Sequence, residues 1–330
     1  GLARTLAELH GRGLAYGDLA PGNVFVSRSV EHAECWLIDS DNISVLSREG
    51  GHKIYTDGYG APEIVRKVSG TDSLTDSWSF GVIAFQLLTL QHPLLGDLVN
   101  DGEQDDEKRA LRGEFPWIDD LDDDSNRASS GVSRDWVLTK ELQRLCHQCF
   151  GPGRNAPEVR PTMSEWRAAF EAAAARLMNC SGCGSGFYFN RDSECNFCDH
   201  LQEDVEHVLM RHYLYSSVSE EEQQAGLTEW IKTGHVQVLG RAPLELRASP
   251  VGTTSYAESE LICTLTMKED DGLYIEPVTG VAVALQSQKS QETKILTKRM
   301  RLKETSRRGD TYMLHLTDSD TPHYAWRFKW

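Results

Sequence analysis

No run of 18 apolar residues occurs in the 330-residue chain, and its start lacks the basic, apolar and small-residue pattern of a secretory signal. The first absence argues against a membrane-spanning helix, and together they predict a soluble, cytoplasmic protein. Positive charge is short as well: 34 Lys and Arg stand against 50 Asp and Glu, a formal net charge of -16. Such a chain is a poor general binder of nucleic acid. No residue class is depleted enough to suggest disorder throughout, and the length allows two or three domains, each with its own core. The first residue is Gly1 rather than Met, and a helix-like stretch begins at once, so the chain reads as the later part of a longer protein.

The charge is uneven. Between Asp97 and Asn126 twelve acidic residues face only Lys108, Arg109 and Arg112, and this segment, from about 96 to 132, has no periodicity and reads as a surface insertion. Between Lys289 and Gly309 eight basic residues face Glu292 and Glu304, which reads as a solvated strand face with Met300 and Leu302 turned inward.

Leu2, Leu6 and Leu9 share a helical face that His10-Gly11-Arg12-Gly13 terminates. Val24-Phe25-Val26 and Cys35-Trp36-Leu37-Ile38 read as strands around a polar turn, Ser27 to Glu34, which would bring Asn23 and Asp39 to adjoining ends of a hairpin. Residues 76 to 90 are apolar on nearly every face, the pattern of a helix buried within a domain. Ser133 is a candidate cap for one helix carrying Trp136, Leu142, Leu145 and Cys149. Thr162-x-x-Glu165 predicts a reciprocal cap on the next helix. Composition changes at Asn179: residues 201 to 235 read as a polar, partly helical linker, and residues 236 to 330 as an all-β module of short strands and turns.

Chemistry concentrates in Tyr16-Gly17-Asp18-Leu19-Ala20-Pro21-Gly22-Asn23, with Asp39 sixteen residues after Asn23. Phosphoryl transfer needs a carboxylate near the accepting hydroxyl and oxygen ligands for magnesium, and Asp18, Asn23 and Asp39 are groups of those kinds. Alone, this run is shared by protein kinases and by small-molecule kinases. Downstream, Thr56-x-x-Tyr59-x-Ala61-Pro62-Glu63 follows, with Glu63 24 residues after Asp39. Asp76-Ser77-Trp78-Ser79-Phe80-Gly81 then begins 13 residues after Glu63, and Arg160-Pro161 completes the series.

This series resembles the C-terminal lobe of eukaryotic-like Ser/Thr protein kinases, over residues 1 to 178. The resemblance implies that Asp18 is the catalytic carboxylate, that Asn23 and Asp39 hold magnesium on ATP, and that Glu63 and Arg160 form a buried ion pair. It further implies that Asp76 binds backbone near the catalytic loop and that Thr56 steadies the substrate-side segment. Three departures stand out. Ala20 replaces the lysine that helps neutralise the transferred group, and Gly17 replaces the arginine that reads a phosphorylated activation loop. Ser40-Asp41 replace the usual Phe-Gly. No Gly-rich phosphate loop and no Lys/Glu pair precede Asp18, so this chain alone is expected to be inactive.

Eight cysteines raise the question of disulfides, but four lie in two Cys-x-x-Cys pairs: Cys180 and Cys183, then Cys195 and Cys198 after eleven intervening residues. Such turns bring four thiolates into a tetrahedron, which predicts a closed structural zinc ribbon over residues 179 to 200, without catalysis. Cys146 and Cys149 share the spacing but fall on an apolar helical stretch. They read as core residues, as do Cys35 and Cys263.

The expected fold class is therefore multidomain α+β: a mainly helical kinase lobe, a small zinc ribbon and an all-β module ending in an alternating stripe, Trp326, Phe328 and Trp330, read as core. That domain order and tail resemble the bacterial tellurite-resistance-associated kinases. The resemblance implies a signalling role, a protein substrate, and as partners a metal-dependent protein phosphatase and a von Willebrand A-type protein. Two alternatives stay open: a pseudokinase scaffold, favoured by Ala20, and a small-molecule phosphotransferase, which the Glu63 and Arg160 motifs disfavour.

Overall fold

The helix Ser73–Thr89 is built from a sequence that specifies its own start. Asp72 Oδ1 accepts the N–H groups of Leu74 at 2.8 Å and Thr75 at 2.9 Å, while Thr75 Oγ1 accepts the Asp72 N–H at 2.9 Å. Reciprocal capping of this kind satisfies donors that a helix end otherwise leaves free. Trp78, Phe80, Val82, Ile83 and Phe85 are all buried along it, as their near-continuous apolar run predicts.

The computed structural model describes all residues except 29–33, 47–52, 190–193, 202–206, 220, 222, 223, 241, 254, 308 and 320. The described chain divides into two compact units, Gly1–Ala169 and Phe170–Trp330. Each is considered by itself.

In the first unit the short strands Val24–Val26 and Cys35–Leu37 pair antiparallel with Val24 opposite Leu37, so the predicted hairpin forms, although residues 29–33 of its turn lie outside the described residues. The helix predicted to start at Ser133 breaks in two. Ser133 makes no side-chain cap, Leu138 is extended (φ -124°), and a new helix, Lys140–Phe150, starts where Thr139 Oγ1 accepts the Leu142 N–H at 3.3 Å. Trp136, expected on its apolar face, is 42% exposed. The acidic segment is also more ordered than its composition suggests. It forms the helices Asp97–Asn100 and Gln104–Leu111 and buries Val99, Ala110, Trp117 and Ile118. Asn126 is fully buried in it: Nδ2 donates to the carbonyls of Leu94 and Pro116, both at 2.9 Å, and Oδ1 accepts the Gly96 N–H at 3.2 Å. One amide thus satisfies three backbone groups that no secondary structure reaches.

The second unit is mainly strand. A six-stranded antiparallel sheet runs, in spatial order, Thr293–Leu296, Val283–Ser287, Thr311–His315, His323–Lys329, Val208–Tyr215, Trp230–Leu239. A four-stranded sheet runs Met300–Lys303, Gly272–Pro277, Leu261–Lys268, Leu244–Arg247. Their inward residues share one core, with Met210, Leu265, Ile275, Leu314, Trp326, Phe328 and Trp330 all 2% exposed or less. The aromatic tail is core, as expected, and Leu302 points inward between exposed Arg301 and Lys303.

Residues 201–235, predicted as a partly helical linker, contain the sheet strand Val208–Tyr215 and the first part of the strand Trp230–Leu239. Val208–Tyr215 carries polar Arg and His among its apolar residues, and pairing with strands on both sides overrides that local composition.

Candidate functional site

The loop from Ala15 to Asn23 is held by a buried carboxylate on the central helix. Asp76 Oδ2 accepts the Tyr16 N–H at 2.6 Å and Oδ1 accepts the Gly17 N–H at 2.9 Å. His10 Nε2 completes this clamp at 3.0 Å from Oδ2. Gly17 takes φ +95°, and a Cβ there would meet the Asn42 carbonyl at 3.0 Å, so the loop backbone itself disfavours a side chain.

Around this clamp the three residues singled out from sequence lie on adjoining segments. Asp18 Oδ1 accepts a hydrogen bond from Thr56 Oγ1 at 2.9 Å. Asn23 Nδ2 donates to the Asp18 carbonyl at 2.9 Å, which leaves Asn23 Oδ1 as its acceptor group. The Asn23 carbonyl in turn accepts the Ile38 N–H at 3.0 Å, setting Asp39 next to it. Asp39 itself adopts left-handed backbone (φ 57°), a conformation uncommon outside Gly, Asn and Asp. The Asn23 amide oxygen and the Asp39 carboxylate are hard oxygen donors of the kind magnesium takes, so this pair fits that ion.

Tyr16 reports the local field. Its hydroxyl donates to the Ile38 carbonyl, and its pKa is pushed up to about 12, first by burial and then by the charges of Asp39, Asp18 and Asp76. Ala20, where the expected lysine is missing, is 3% exposed, and among the described residues no Lys or Arg pairs with Asp18.

The ion pair expected from sequence is present and buried. Arg160 Nη1 and Nη2 each donate to Glu63 at 2.7 Å, Nε donates to the Gly153 carbonyl at 2.8 Å, and the guanidinium lies 4.8 Å from the Trp78 ring centroid. Sequence reasoning missed three supports. His10 was read only as part of a helix stop. Ser77 Oγ donates to the Pro161 carbonyl at 2.5 Å and accepts from Trp166 Nε1 at 3.1 Å. His92 Nε2 lies 2.8 Å from the Gly58 carbonyl, and burial lowers its pKa. A polar residue within an apolar run, as Ser77 is, was the available signal.

In the second unit Cys180, Cys183, Cys195 and Cys198 come together, their sulfurs all within 4.8 Å of one another. Zinc–thiolate bonds of about 2.3 Å place sulfurs about 3.8 Å apart in a tetrahedron. Cys180 and Cys198 are 3.6 Å apart and Cys183 and Cys195 3.8 Å, so the cluster fits such an ion. Cys180 Sγ accepts the N–H groups of Gly182 at 3.3 Å and Cys183 at 3.4 Å, and Gly184 takes the left-handed turn (φ 76°) that follows. Burial alone would raise the Cys180 thiol; these N–H groups and the neighbouring thiols lower it instead, to about 6. The strands Leu177–Asn179 and Gly186–Tyr188 flank the first pair. Cys146 and Cys149 are buried helix residues whose thiols burial pushes up, and Cys263 is likewise buried.

The family described as "Protein kinase domain" matches residues 1–169. Similar proteins include serine/threonine-protein kinase pkn2 of Myxococcus xanthus, 29% identical over 103 residues, which are 29% of this chain and 12% of that protein. Ribosomal protein S6 kinase alpha-2 of Mus musculus is 35% identical over 99 residues, 29% of this chain and 13% of the relative. Cyclin-dependent kinase F-4 of Oryza sativa subsp. japonica is 36% identical over 91 residues, 28% and 19%. The chain therefore spans less than a fifth of each of these relatives.

Proposed function

The chain belongs to the protein kinase domain family, and on that premise we propose that it is part of a protein serine/threonine kinase that acts in bacterial signalling in the cytoplasm. The observation that carries this reading is the joined set at the loop: Thr56 on Asp18, Asn23 on Asp18, and Asp39 beside the Asn23 carbonyl. Asp18 accepts the proton of a Ser or Thr hydroxyl as that oxygen bonds to the γ-phosphorus of ATP and ADP leaves. Thr56 holds one Asp18 oxygen in place during that transfer. Asn23 Oδ1 and the Asp39 carboxylate would hold magnesium, which when bound supplies charge neutralisation for the ATP phosphates. The architecture proposed around this site is a helical kinase lobe, a structural zinc ribbon on Cys180, Cys183, Cys195 and Cys198, and a β module. Protein substrates follow from the family; a phosphatase and a von Willebrand A-type protein are proposed partners from the resemblance of domain order.

Ala20 favours a second reading, a pseudokinase that binds partners without transfer, because the missing cation removes stabilisation from the transferred phosphoryl group. Radiolabelled ATP transfer by the intact protein, with Asp18→Ala and Asp39→Ala beside it, separates the two. Transfer abolished by either substitution supports the kinase; ATP binding with no substitution-sensitive transfer supports the scaffold.

A further inference from the structure

The six strands of the larger sheet contain no Asp or Glu, in a chain that has 50 of them. Strand propensity alone does not account for this, because the four-stranded sheet of the same unit carries Glu245 and Glu276. On the face opposite Trp326 and Phe328, Arg211, Lys232, Arg327 and Lys329 are all exposed. The register sets Arg211 directly across from Arg327. Residues so placed on antiparallel strands have Cβ atoms about 4.5–5.5 Å apart, and like charges there repel. Other strand arginines of this unit have acid partners: Arg247 Nη2 donates to Glu245 at 2.8 Å, and Arg301 donates to Asp271. Among the described residues Arg211 and Arg327 have no such partner. Two guanidiniums held side by side without a counter-charge cost stability unless an anion lies between them.

The rest of the face selects the kind of anion. Tyr215 and Trp230 pack on each other with ring centroids 4.9 Å apart, and on His323 and His315 at 5.0 and 5.4 Å, while the two imidazoles meet at 2.8 Å. Tyr213 is buried. These rings are engaged with one another rather than offered as platforms for bases, and a net charge of -16 repels an extended polyanion. An acidic peptide spreads its carboxylates along the chain. A phosphoryl group instead gathers about two negative charges and three acceptor oxygens at one point, which two adjacent guanidinium forks can share. Val238, opposite Leu209 on this face, packs against the cluster of Met178 and Phe187, so the segment carrying the four cysteines borders the arginine pair.

We infer that Arg211 and Arg327 form a recognition site for a protein segment bearing phosphoserine or phosphothreonine. The phosphoryl oxygens accept from both guanidiniums, and Lys329 and Lys232 attract acidic residues on either side of it. Binding needs no transfer chemistry, so the inference stands or falls apart from the loop at Asp18.

The test uses the full chain, purified with zinc present, and two fluorescent peptide libraries with degenerate flanks. One library carries phosphoserine and phosphothreonine in equal mixture at its centre, the other serine and threonine, and binding is read by fluorescence polarisation. The phosphorylated library is expected to bind at least about tenfold more tightly, the scale of one hydrogen bond to a charged group. Arg211→Gln and Arg327→Gln, which keep the side-chain stem, should each remove that preference, whereas Lys298→Gln, in a turn outside the sheet, should keep it. Both arginine variants should melt at or above the wild-type temperature, since one of two opposed like charges is gone. Equal binding of the two libraries, or an unchanged preference in both arginine variants, would overturn the site. Tighter binding of oligo(dT) than of the phosphorylated library would overturn it too, by making the face a nucleic-acid surface. Lower melting of both arginine variants with the preference intact would make the pair structural and sink the assignment.

Discussion

Arg160 and Glu63 are 97 residues apart in sequence and meet in a two-pronged ion pair, each N–O distance 2.7 Å, in which both side chains are almost wholly buried. Such a pair is strong in geometry and weak in net stability, since the gain must first offset two desolvations. Its importance lies in what happens when one member is removed.

Glu63→Ala leaves a guanidinium buried without its counter-charge. A loss of about 3–5 kcal/mol is expected, enough to unfold a marginal domain, whereas a surface pair such as Lys140 with Asp135 should cost under about 1 kcal/mol. Urea unfolding followed by tryptophan fluorescence compares the two; similar losses would contradict the assignment of burial.

Thr56→Val removes the hydrogen bond on Asp18 Oδ1 at the mouth of the site, where Thr56 is exposed. In the intact protein the phosphoryl-transfer rate is expected to fall about tenfold or more, the scale of one hydrogen bond to a charged group. The melting temperature should stay within about a degree or two. A rate equal to wild type would remove Thr56 from the site.

Loss of metal should act on the second unit. Chelation, or Cys195→Ser, is expected to open the segment around Met178, Phe187 and Cys195 to trypsin, because so small a cluster has little apolar core besides its thiolates. Metal analysis should return about one zinc per chain for wild type, and less than half that value would argue against the cluster as a zinc site.

His212 sets a pH dependence. Burial, and to a lesser extent the nearby His235, lowers its pKa to about 4 from an unfolded value near 6.5. Between these values the unfolded chain binds the extra proton, so stability is complete above about pH 6.5 and falls as pH drops towards 4. The full effect is of order 3 kcal/mol. His212→Gln should flatten the slope of melting temperature against pH between 6.5 and 4.5 relative to wild type; an unchanged slope would place the titration elsewhere.

Much of the first unit was legible because its signals are local. Thr162 with Glu165 is a cap readable from a three-residue spacing, and it forms, whereas the equally spaced cap of Asp72 with Thr75 went unread and emerged from the structure. Strand alternation in the tail correctly turned Trp326, Phe328 and Trp330 inward. The break at Leu138 was not legible, because Ser133 and Thr139 are both credible caps and only packing chooses between them. The strand Val208–Tyr215 was lost for a related reason: its polar members are tolerated by neighbours contributed from residues more than 100 positions away.

By itself, then, the sequence determined which groups stand near one another along short stretches: Asp18 with Asn23, the two Cys-x-x-Cys turns, and the helix caps. Backbone geometry over a few residues decides those. Only the tertiary structure decided which distant groups complete them. His10 and Asp76 meet across 66 residues, Ser77 and Trp166 across 89, and Asp18 and Thr56 across 38. The His315–His323 contact spans only eight residues, yet it needs the register of two strands held by a third. A polar group removed from water must find a partner, and which partner is within reach depends on packing that no local period encodes.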